Sequence, residues 1–252
     1  MPNTRKETQL PRLSRKDIEH ISERVYAAYR KLPEVANEKI LRISPELMLK
    51  LVGLKIEHCR LSQHGNIVGV TCSSGHLVRV FDFEDEKVYF CLDGATVLVD
   101  KELHDDESQR GRYNFTVMHE LSHQVLRKLF PGEYDEVTYR TYHDCQLDWR
   151  RPISNWSEWQ ANTLASALLM PKDLIQQGMY YCGLEGRIEI LNRKYRSREY
   201  AGFSNLADFL GVSKTALAIR MKYLGLIGEN HLRYPDIMLE VVRDKEDDAI
   251  GR

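Results

Sequence analysis

The segment Phe115-Thr-Val-Met-His119-Glu120-Leu121-Ser122-His123 sets two histidines four residues apart, with a glutamate directly after the first. On an α-helix, residues at that spacing differ in direction by only about 40°, so both imidazoles can point at one place. Neutral imidazole nitrogens are good zinc ligands. Two of them, a carboxylate and an open position for water make the usual form of a catalytic zinc centre. Glu120, beside a ligand but directed to one side, would accept the proton of a water attacking a carbonyl. Phe115, Val117, Met118, Leu121, Val125, Leu126 and Leu129 make this helix apolar on most sides and predict that it is buried. Histidines and a carboxylate buried without partners are costly, and a divalent cation removes that cost. The contrary reading is a pair of histidines that hold no metal.

A third ligand has to come from elsewhere, and the candidate is Glu158 in Ser157-Glu158-Trp159-Gln160-Ala161-Asn162-Thr163-Leu164-Ala165. On a helix, Glu158, Ala161, Asn162 and Ala165 share one stripe. The alanines permit close approach to a neighbouring helix, which would let Glu158 reach the metal and Asn162 hold a ligand side chain. The plainer alternative for Glu158 is a solvated first-turn carboxylate favoured by the helix dipole. The expected cofactor is a single Zn2+ ion, with manganese or another divalent ion left open. An oxyanion donor is also needed. Tyr180, Tyr181 or an arginine near Arg196 would serve, and no spacing selects among them. His143 and Cys145, between the two motifs, offer an imidazole or thiol that would block the open metal position.

The elements that must position these groups follow from periodicity. Ser14 and Asp17 form a capping-box start for a helix to about Leu32, and Ser44-Pro45-Glu46 opens a second, shorter one. Strands are predicted near residues 55–59, 67–72, 77–83, 87–91 and 96–99, separated by Ser73-Ser74-Gly75, Glu84-Asp85-Glu86 and Asp93-Gly94. Helices are predicted at about 112–130, 157–169, 171–179, 185–194, 204–210 and 213–224. Strands first and helices after imply an α+β fold with a small, mostly antiparallel sheet. An edge of that sheet would accept an extended peptide. Residues 1–175 are read as the metal-dependent domain, 176–230 as a helical C-terminal region and 231–252 as a charged tail.

The two motifs together resemble the ImmA/IrrE family of metallo-endopeptidases. FTVMHELSH is similar to that family's F-T-x-x-H-E-x-G-H, and EWQANTLASALLMP to its E-x-x-A-N-x-F-A-x-x-L-L-M-P. The likeness extends, less distinctly, from the first helix to about Leu226. It implies a zincin-like core, His119, His123 and Glu158 as zinc ligands and Glu120 as catalytic base. It also implies a helix-turn-helix transcriptional repressor as substrate, in mobile-element or stress-response regulation. Ser122 replaces the family's glycine, Leu164 replaces its phenylalanine, and the stretch between His123 and Glu158 is long.

Leu206 to Gly225 reads as helix, glycine-containing turn and helix capped by Ser213, a helix-turn-helix pattern. Lys214, Arg220 and Lys222 could contact phosphates, yet the second helix has no Asn, Gln or Arg at its start to read bases. DNA contact and a purely structural or docking role both stay open. So does a second reading of the whole chain, a non-catalytic DNA- or protein-binding regulator with a relict metal site. With Lys+Arg at 36 and Asp+Glu at 37, the 252-residue chain is not built chiefly to coat nucleic acid. It has no apolar run of membrane-spanning length, and its polar, basic N-terminus lacks a secretory signal, so a cytoplasmic location is expected. Its five scattered cysteines read as reduced thiols.

Overall fold

The computed structural model describes residues 11–71, 75–82, 84, 86–131, 134, 139–142 and 156–236. The turn at Ser73-Ser74, Asp85, His143, Cys145 and the tail from Arg243 lie outside the described residues. The chain divides into two compact units, Met1–Pro171 and Lys172–Arg252.

In the first unit, α1 (Arg15–Tyr29) starts at a full capping box between Ser14 and Asp17, and α2 (Pro45–Val52) starts at Ser44 with proline at its first position. Gly53, at φ 73°, ends α2 in the left-handed conformation that glycine adopts without strain. The strands β1 (Lys55–Cys59), β2 (Ile67–Thr71), β3 (His76–Phe81), β4 (Lys87–Leu92) and β5 (Thr96–Asp100) follow. Asp100 then caps α3 (Lys101–Asp105), and a short 3-10 turn leads into α4 (Arg110–Leu129). The unit closes with β6 (Tyr139–Tyr142) and α5 (Trp156–Leu169).

The central sheet has the order β1-β5-β2-β6, and β3 with β4 forms a separate hairpin. The sheet is mixed. β1 runs parallel to β5, whereas β2 is antiparallel to both β5 and β6. Three intervening strands carry the chain from β1 back to β5, which supplies the long crossover that a parallel pair requires. Every residue of β5 is buried, and Val78, Val80 and Leu92 of the hairpin cover Leu61, Val70 and Leu98. α4 packs on β2 and β5, and α5 and α2 pack on α4. β6 falls in the stretch between the two metal motifs, where the sequence predicts no strand. Cys59 is a free thiol, and burial pushes its pKa up to about 12, so it stays protonated.

The second unit contains α6 (Lys172–Tyr181), β7 (Ile188–Leu191), α7 (Ser197–Leu210), α8 (Lys214–Tyr223) and β8 (Ile227–Asn230). The helix predicted over 185–194 is instead β7, so the C-terminal region is not all helical. Ile188 and Leu191 are buried while Glu189 is exposed, Gly186 turns at φ 68°, and β7 pairs in parallel with β8. That pairing requires a glycine at 228, because a Cβ there would strike the Glu189 carbonyl. α7 and α8 are joined as expected, with Gly211 in the left-handed region and Ser213 capping α8. Phe203, Leu206 and Leu210 of α7 and Leu217 and Met221 of α8 are buried.

Candidate metal centre

The sequence of α4 dictates its place. Val117, Met118, Leu121 and Leu126 are fully buried, and His119, Glu120, Ser122, His123 and Gln124 are carried into the interior with them. The Ser122 hydroxyl donates to the Met118 carbonyl at 2.7 Å, so the polar atom that replaces the family's glycine is satisfied within the helix. On α5, Ala161, Leu164, Ala165 and Leu168 are all fully buried, which seats this helix against its neighbours. Its first turn is held from outside. Gln160 Nε2 and Trp156 Nε1 donate to the Pro11 carbonyl at 2.7 and 3.2 Å, and the buried Tyr134 hydroxyl donates to Gln160 Oε1. Glu158 sits in that turn.

The two helices bring three side chains to one point. His119 Nε2 lies 3.0 Å from His123 Nε2, and the rings meet at 85°. Glu158 Oε2 is 3.1 Å from His119 Nε2, and its Oε1 is 3.3 Å from His123 Nε2. Four ligands placed tetrahedrally at about 2.0–2.1 Å from a zinc ion stand about 3.3 Å from one another, so this spacing fits one ion. Among the described residues, His119, His123 and Glu158 are the group of His, Cys, Asp or Glu side chains close enough to share a metal. The His119 Nδ1–H donates to Asn162 Oδ1 at 2.9 Å, which leaves the Nε2 lone pair directed at the shared point.

Electrostatics agree with a cation at that point. Burial drives the His123 imidazole down, to about 4, opposed by its hydrogen bond to Glu158 and helped by the charge on His119. Burial also opposes charge on His119, but the Glu158 hydrogen bond and the nearby Glu120 and Glu158 charges outweigh it and raise its pKa. For Glu158, burial favours the neutral acid, yet hydrogen bonds from both imidazoles reverse this and hold it well below the usual carboxylate range. An ionised carboxylate facing two imidazole nitrogens at 3.1 and 3.3 Å needs positive charge between them, and either a proton or a metal ion supplies it. Glu120 is fully buried on the α4 face turned towards β2, where its Oε1 lies 2.5 Å from the point that a Cβ on Gly69 would occupy.

Tyr180 and Tyr181 stand on α6 in the second unit, the first exposed and the second half-exposed, with their rings in edge contact. Arg196 pairs with Glu199 at 3.9 Å in the same unit. Of the three cations on α8, Arg220 is buried, and the Lys222 ammonium donates to the Gly228 carbonyl of β8. Lys214 and Lys222 are exposed, so of the three cations read as possible phosphate contacts only Arg220 is withdrawn into the interior. Three supports of the site escaped sequence reasoning: Tyr134, Gln160 and the Pro11 carbonyl. The capping and periodicity signals are local, and these contacts join residues 26 and 149 positions apart.

No helix among the described residues is long and apolar enough to cross a membrane. A search of curated proteins finds no match to the chain. A family model described as the IrrE N-terminal-like domain matches residues 74–222, a span that contains both α4 and α5. The chain therefore belongs to the IrrE N-terminal-like domain family of metallopeptidases.

Proposed function

We propose that the protein is a cytoplasmic, zinc-dependent endopeptidase that cuts a helix-turn-helix transcriptional repressor. The observation that carries the metal part of this reading is the convergence of His119, His123 and Glu158 within 3.0–3.3 Å, from two helices and in a buried setting. The repressor as substrate rests on the family alone. His119, His123 and Glu158 would hold the ion, which when bound polarises a carbonyl and lowers the pKa of a water to about 7. Asn162 fixes the tautomer and orientation of His119. Glu120 accepts the proton of the attacking water and returns it to the nitrogen of the leaving amine, a role that calls for a carboxylate held close to the ligands. All five residues belong to the first unit, which we take as the catalytic domain, while the second unit serves substrate docking or scaffolding.

The test uses the full chain loaded with zinc. It is incubated with labelled casein and with the repressor encoded beside its own gene, and fragments are read by mass spectrometry. Glu120→Gln is expected to keep its zinc and to lose cleavage by about 10²–10⁴-fold. Cleavage at the parental rate by that variant would remove Glu120 from the mechanism. A parental protein that binds its repressor without cutting it would favour the regulatory reading instead.

A further inference from the structure

Gly69 lies in β2, flanked on both sides, with Val99 of β5 opposite it on one edge and Thr141 of β6 on the other. Its backbone is not in the left-handed region, so conformational freedom is not the reason for glycine here. Space is. A Cβ built on Gly69 would lie 2.5 Å from Glu120 Oε1, 2.9 Å from Thr116 Cγ2 and 3.0 Å from Glu120 Cγ. Thr116, Glu120 and Gln124 follow one another at four-residue spacing along α4 and so form the stripe that faces this strand. The same stripe is tied down one step along, where the buried Gln124 amide donates to the Thr71 hydroxyl. Strand and helix are thus held at a separation that leaves no room for a methyl group, and the movable partner is the end of the Glu120 side chain.

We infer that Gly69 is a positioning residue for Glu120: the bare backbone of β2 forms the seat against which the Glu120 carboxylate is set. This rests on the proposed role of Glu120 as proton acceptor. Any side chain at 69 pushes the carboxylate away from the strand, and displacement of a catalytic group by about 1 Å can cost about 10²-fold in rate.

The experiment is Gly69→Ala in the full-length, zinc-loaded chain, alone and combined with Glu120→Ala. The single variant is expected to keep the parental zinc content and a KM within about twofold, with kcat on labelled casein or the repressor reduced about 10- to 100-fold. A merely structural defect would instead move zinc content and KM together with kcat. The second readout needs no activity. The fall in Tm caused by Gly69→Ala should shrink by at least about half when Glu120 is already alanine, and the unchanged Thr116 contact cancels in such a cycle. If Gly69→Ala unfolds the protein while Gly69→Ala with Glu120→Ala folds, the seat is supported; if both unfold, it is overturned. A kcat within twofold of the parent, or a Tm cost indifferent to Glu120, likewise overturns it. Parental cleavage by Glu120→Gln would instead sink the assigned role of Glu120, while the Tm cycle would still report on the contact.

Discussion

Among the described residues of the first unit, two pairs of histidines lie in ring contact, and one of these pairs belongs to a group that could hold a metal ion. His58 and His104 lie ring against ring in a tilted arrangement, with centroids 3.9 Å apart and planes at 33°. Their nitrogens diverge: His58 Nε2 meets the Tyr113 hydroxyl at 3.1 Å, while His104 Nδ1 meets Asp105 at 2.9 Å. His119 and His123 meet edge on, their Nε2 atoms 3.0 Å apart, with Glu158 closing the triangle. Residue type is the same in both places. Direction separates them, because α4 presents residues four apart to one point, whereas His58 and His104 come from a strand and a short helix that happen to abut. Burial separates them further. His119 and His123 are inside the protein and gain most from a shared cation, while His104 has water to solvate it.

The comparison breaks most visibly at the ligands. His119→Ala or His123→Ala should abolish stoichiometric zinc binding, measured by metal analysis of the purified chain, and cleavage with it; His58→Ala and His104→Ala should leave the zinc content unchanged. Zinc retained by His119→Ala, or lost from His58→Ala, would reverse the assignment of the two pairs. A smaller effect is expected one step out from the ion. Asn162→Ala frees the His119 ring to turn and should weaken zinc about 10- to 100-fold in competition with a chelator.

The least effect concerns protons at the non-ligating pair. Burial, then the charge of His104, lowers the pKa of His58 below its ordinary 6.5. The unfolded chain therefore binds more protons than the folded one in the window just below pH 6.5, and stability falls as pH drops through it. Denaturant unfolding at pH 7.5 and 5.5 should show this as a modest loss that His58→Gln reduces. An identical loss in both proteins would place the sensitivity elsewhere.

How much of this was legible differs by element. α4 and α5 are bounded within two residues of where periodicity puts them, because a long apolar repeat and an HExxH spacing are local signals. The stretch 185–194 misled: Ile188-Glu-Ile-Leu191 is too short to separate the two periods, and a partner from the far side of α8 made it a strand. Arg220 looked like a phosphate contact because charge suggests exposure, yet its helix turns it into the second unit's interior. Gly69 lies within a predicted strand, where no local signal sets it apart.

The sequence by itself determined that two imidazoles would be aimed at one point, that a glutamate would stand beside them and that their helix would be buried, since all three follow from helical geometry and apolar patterning. Only the tertiary structure decided that Glu158 arrives there, that Asn162 orients His119 and that β2 runs against Glu120 at its glycine. Those contacts join segments dozens of residues apart, and their distances are set by how α4, α5 and the sheet pack, which no local pattern encodes.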